Sequence, residues 1–70
     1  MNEATFSFTI YLIHELAEVW NMLPGKVFQI LKRTGCIDNY LIPHYDVLHT
    51  LGTKYLIEDI DEYVKTRGGK

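Results

Sequence analysis

The chain has 70 residues, of which 47% are hydrophobic, 13% aromatic and 23% charged, with a formal net charge of -2. That length allows one domain, burying only about 60% of the surface its unfolded chain exposes, and the apolar content is far above that of a disordered tail. The negative balance gives no overall positive field for phosphate backbones or anionic lipid, so nucleic acid and membrane surfaces are disfavoured partners.

Apolar positions at helical spacing predict a first helix over residues 5–23, with Phe6, Ile10, Ile13, Ala17 and Trp20 on one stripe and Leu12, Leu16, Val19 and Leu23 on the next. The apolar arc exceeds half the circumference, so this helix is expected to be covered from two sides. His14 and Glu15 end its apolar run well short of the ~20 residues that span a bilayer, and Glu3 stands where a signal peptide would be positive. Neither membrane insertion nor export is expected.

Leu23-Pro24-Gly25 breaks the helix, and a second follows over 25–34, with Val27, Phe28, Ile30 and Leu31 inward, Lys32 and Arg33 in the last turn, and Gly35 as its C′ residue. Cys36 and Ile37 form an apolar connection, and Asp38 caps a turn carrying Tyr40, Leu41 and Ile42. The lone cysteine has no partner for a disulfide or a CxxC site, which fits a buried thiol in a reducing cytoplasm.

A third helix is predicted over 43–51, opened by Pro43, stopped by Gly52 and carrying Tyr45, Leu48 and Leu51 along one side. Tyr55, Leu56 and Ile57 read as the first turn of a helix starting at Thr53 or as a short extended piece, and the extended reading is preferred. Asp59 and Glu62 then form a capping box that gathers the acids of 58–62 at a positive helix start. The last helix runs over 59–67 and residues 68–70 fray. The fold class is all-α: a compact four-helix domain with short turns and an extended segment before the last helix.

The histidines do not assemble a metal site. His14 opens a zincin-like pattern, but Glu18 stands where the second histidine belongs, which leaves a surface i,i+4 pair. His44 and His49 lie about 140° apart on a helix and cannot share one ion. Asp46 and His49 share a face and form the minimal orienting pair of a general base, yet nothing places Ser7 or Cys36 beside them as a nucleophile. The glycines open no phosphate loop, so ATP, GTP and NAD are not expected, and the acids of 58–62 lack a calcium loop's alternation and central glycine. A helix-turn-helix reading is disfavoured by its recognition helix, which offers no Arg, Lys, Asn or Gln to bases and sets Asp46 against phosphate, and is supported only by Lys26, Lys32, Arg33 and the C-terminal basic residues.

The run Tyr45-Asp46-Val47-Leu48-His49-Thr50, then Gly52, then Tyr55 to Tyr63 (YLIEDIDEY) resembles a family of small bacterial proteins catalogued as a domain of unknown function. The likeness reaches back through Gly25, Val27, Leu31, Gly35 and Tyr40. The resemblance implies no activity. It implies a setting, since members are often encoded beside a small protein that looks like an ADP-ribosyltransferase, and hence an antitoxin-like or partner-binding role.

The leading expectation is a non-enzymatic protein-interaction module or homodimer, without a small-molecule cofactor or metal. Tyr45, Asp46 and His49, with Asp59 and Tyr63 from the last helix, form its partner-binding surface. A small enzyme or enzyme subunit built on Asp46 and His49 is the alternative from another class, and a DNA-binding protein is a third.

Overall fold

The computed structural model describes residues 1–70 and is all-α, with no strand. Helix α1 spans Glu3–Trp20, α2 Pro24–Arg33, a π-helical turn Ile37–Leu41, α3 Tyr45–Leu48 and α4 Thr53–Lys65. Five helical segments thus stand where four were expected, three of them long. The Cα radius of gyration of 10.9 Å matches the ~11 Å of a close-packed chain of this length.

Local chemistry sets the ends. Asn2 caps α1, its Oδ1 accepting from the Thr5 N–H at 2.8 Å. The helix stops at Trp20, three residues short of the proline, because Asn21 turns left-handed at φ 54°. The Met22 N–H then bonds Ala17 O at 2.9 Å and the Asn21 N–H bonds Glu18 O at 3.2 Å, a closing pair that satisfies two terminal carbonyls. Pro24 starts α2, where its missing N–H costs nothing. Gly35, at φ 81°, ends that turn as expected.

The extended reading of 55–57 is overturned. Leu56, Ile60 and Val64 are buried one turn apart on α4, and a single helix is the geometry that aligns them. An isolated strand would leave its backbone groups unpaired, whereas the Leu56 N–H already bonds Gly52 O at 3.1 Å. Asp59 therefore lies mid-helix and no capping box forms; like-charge repulsion among the acids, a few tenths of a kcal/mol per pair, loses to burial of three aliphatic side chains at about 1.5–3 kcal/mol each. The third helix is also shorter than predicted. Residues 49–51 continue as turns, with the Thr50 N–H bonded to Val47 O at 3.1 Å and the Leu51 N–H to Leu48 O at 3.0 Å.

Every helical segment feeds one core, whose fully enclosed members include Leu12 and Leu16 from α1, Val27 and Leu31 from α2, Leu41 from the π turn and Ile60 from α4. Thr9 and Thr34 are buried with their hydroxyls donating to Thr5 O and Ile30 O, each at 2.8 Å, so neither is left unpaired. The Tyr11 hydroxyl pairs with Thr53 Oγ1 at 2.7 Å and the Trp20 indole N–H donates to Asp61 at 2.9 Å. Since Tyr11 meets the start of α4 and Trp20 a later turn, α1 and α4 run parallel.

Two further expectations fail. Helix α1 is not covered on two sides: Phe6, Ile10 and Val19 remain exposed while Thr5 and Thr9 take buried positions. The tail over 68–70 is also tied down. Arg33 donates to Gly69 O at 2.9 Å, the Gly69 N–H bonds Val64 O at 2.9 Å, and Lys70 pairs with Asp61 at 3.0 Å and lies over the Trp20 ring. Left-handed Gly68 and Gly69 allow the reversal. No helix is long and apolar enough to cross a membrane.

Candidate functional site

Helix α3 is only one turn long, so packing must hold it, and Leu48 plugs it into the core. That anchor leaves Tyr45 half-buried and turns Asp46, Val47 and His49 outward. Phe8 of α1 meets the Tyr45 ring edge-on, with centroids 5.4 Å apart and planes at 75°. His49 stacks on the Tyr45 ring at 4.5 Å and 13°. The His49 Nδ1–H donates to Tyr45 O at 2.8 Å, which assigns the proton to Nδ1, because a carbonyl only accepts.

This bond takes the role foreseen for Asp46. The carboxylate makes no hydrogen bond or ion pair with the imidazole, and the ring is oriented by the backbone one turn earlier. His14 and Glu18 are both exposed and likewise form no ion pair. No three His, Cys, Asp or Glu side chains come together in a metal-binding arrangement.

Asp59 and Tyr63 belong to a second aromatic group centred on Tyr40. The π turn carries Tyr40 against α4, where its hydroxyl donates to Asp59 Oδ2 and its ring lies 5.3 Å from Tyr63. The Arg67 guanidinium covers Tyr63 at 3.6 Å. Burial, then the bond to Asp59 and that residue's charge, push the Tyr40 hydroxyl well above the usual phenol range. His44, 6.3 Å from the Tyr40 ring, neighbours Tyr45 in sequence and links the two groups. The five anticipated residues therefore divide, with Tyr45, Asp46 and His49 on α3 and its exit turn and Asp59 and Tyr63 on α4.

Cys36 is fully enclosed, and burial pushes its thiol up to about 12, with Arg67 pulling down and Asp59 pushing up by less. A thiol so protonated is a poor nucleophile at neutral pH. Sequence reasoning missed Phe8, Tyr40 and the Trp20–Asp61–Lys70 cluster, in which bonds from Lys70 and Trp20 hold the Asp61 carboxyl below its ordinary range against some desolvation. Asp59 and Tyr63, four apart on one helix, were a readable pair; the meeting of Trp20 with Asp61, 41 residues away, left no local signal. A groove of about 420 Å³ between α1 and α4, lined by Glu15, Val19, Thr53, Lys54, Ile57 and Glu58, was also unforeseen.

No curated protein and no solved structure matches the chain. A family model does, over residues 7–67, which takes in α1 from Ser7, both aromatic groups and all of α4. The chain belongs to that family, described as protein of unknown function (DUF3791).

Proposed function

We propose that this chain is a non-enzymatic protein-interaction module of the cytoplasm, an antitoxin-like companion to a small bacterial effector, and that it grips its partner through Tyr45, Asp46 and His49. The observation that carries this reading is the stacked Tyr45–His49 pair, braced by Phe8 and standing beside a Val47 that is 63% exposed. Rigid aromatic side chains lose little rotamer freedom on binding, and an exposed aliphatic neighbour supplies apolar area to bury. Asp59 and Tyr63 are the adjoining part of the surface, reached through Tyr40 and His44. A lone enclosed thiol suits a reducing compartment.

The test is affinity capture of the tagged chain from lysate of its native host, with the mass of the eluted complex measured. The reading expects one stoichiometric foreign protein, whose recovery falls about tenfold for the Tyr45→Ala/His49→Ala variant at unchanged helicity. Recovery of the chain alone, or equal capture by both proteins, overturns it.

A further inference from the structure

The groove between α1 and α4 has a composition that narrows its occupant. Val19 from α1 and Ile57 from α4 supply its aliphatic lining, Glu15 comes from α1, and Lys54 and Glu58 stand one turn apart on α4. The Tyr11–Thr53 and Trp20–Asp61 bonds, 42 and 41 residues apart in sequence, fix the register of the two parallel helices. Glu58 then falls level with residues 16–17 of α1, about 2 Å along the axis from Glu15 at 1.5 Å per residue. Both carboxylates are free of ion pairs, as is Lys54; the two pairs in the molecule are Lys32–Asp38 and Lys70–Asp61.

Two unpaired carboxylates against one ammonium leave the groove net negative beside aliphatic Val19 and Ile57, which disfavours phosphate and carboxylate ligands and favours a cation with an apolar stem. Arginine has that form, since its methylenes pack along aliphatic surface while its planar fork offers donors to two acceptors at once. Lys54 adds direction. It lies one helical turn before Glu58, so a partner helix bearing an acid one turn from its arginine matches both charges in order.

We infer that the α1–α4 groove is a second docking surface, which takes an arginine side chain from a partner helix that carries Arg and Glu one turn apart. It goes beyond the module reading and uses neither Tyr45 nor His49. The probe is an alanine-based helical peptide of about 16 residues, long enough to hold helix, with Leu, Arg and Glu on one face. Its control carries citrulline, the neutral isostere, for arginine. Titrated into the isotope-labelled full chain, the arginine peptide is expected to give saturable amide shifts around Val19 and Ile57. Citrulline, or the Glu15→Gln/Glu58→Gln variant, weakens binding about fivefold, the scale of two partly exposed ion pairs. The Tyr45→Ala/His49→Ala protein binds the peptide unchanged, which separates this surface from the proposed module site. Shifts absent from the groove, or equal binding of the two peptides, overturn the inference.

Discussion

Replacing Glu58 by proline tests where α4 begins. Glu58 is exposed and makes no ion pair, so its side chain contributes little to stability. Its backbone lies in the second turn of a helix that starts at Thr53. Proline there removes an interior hydrogen bond and drives its ring into the carbonyl of residue 54, at a cost of about 3 kcal/mol. A chain of this length has a total stability of roughly 4–10 kcal/mol, so the loss is a large share of it. With a urea slope near 1 kcal/mol/M, the midpoint followed by circular dichroism drops by about 3 M. Glu58→Ala, which keeps the backbone, shifts it by less than about 0.5 M. Had the helix begun at Asp59, position 58 would precede it and tolerate proline. A loss below about 1 kcal/mol for Glu58→Pro therefore refutes a helix continuous from Thr53.

Three further perturbations address the turns, the core and the tail. Gly35→Ala forces a side chain into φ 81° with its Cβ 2.7 Å from the Asn39 amide; it should cost about 1–2 kcal/mol, whereas Gly25→Ala, with open space at the Cβ, should be neutral or stabilising in urea titrations. Cys36 should resist thiol reagents in the native protein and react at a rate set by unfolding, and a stoichiometric reaction at neutral pH without denaturant contradicts its burial. Its folded pKa is raised from 9.0 to about 12, so the stability it contributes is full below pH 9 and drains as pH climbs toward 12, a slope that Cys36→Ala should lessen in alkaline melts. Asp61 is depressed instead, and its contribution is present above its unfolded value of 3.8 and disappears as pH falls through the folded one. Asp61→Asn should lower stability at pH 7 by less than about 1 kcal/mol, given the exposure of the Lys70 pair, with the difference from wild type closing in acid.

Much of the fold could be read from periodicity and punctuation. The all-α class follows from the helical spacing of apolar residues, and the start of α2 at Pro24 and the stop at Gly35 each follow from one residue type with one backbone consequence. The errors arose where local signals competed with packing. The acids of 58–62 look like a helix start in isolation, but burial of Leu56 in line with Ile60 and Val64 carries more energy than their mutual repulsion. Asn21, not Pro24, closes α1, because a left-handed asparagine satisfies the end carbonyls before the chain reaches the proline. Phe6 and Ile10 fit the apolar pattern of α1 and stay exposed, for a pattern shows which face is greasy and not how much of it finds a neighbour.

The surface residues followed the same division. Tyr45 and His49, four apart on one turn, were readable as neighbours, and they do stack. That His49 takes its orientation from a carbonyl and not from Asp46 depends on side-chain torsions that spacing leaves open. The braces that fix each aromatic group, Phe8 on Tyr45 and Tyr40 on Tyr63, come from other segments of the chain and required the fold.

A photo-reactive benzoylphenylalanine at position 47, expressed in the native host, tests the interaction module most directly, with a second chain labelled at exposed Gln29 on α2 as the control. The account predicts one cross-linked foreign protein from position 47 that is absent from position 29. Equal products from both positions, cross-links only to other copies of the chain, or none at all would contradict it.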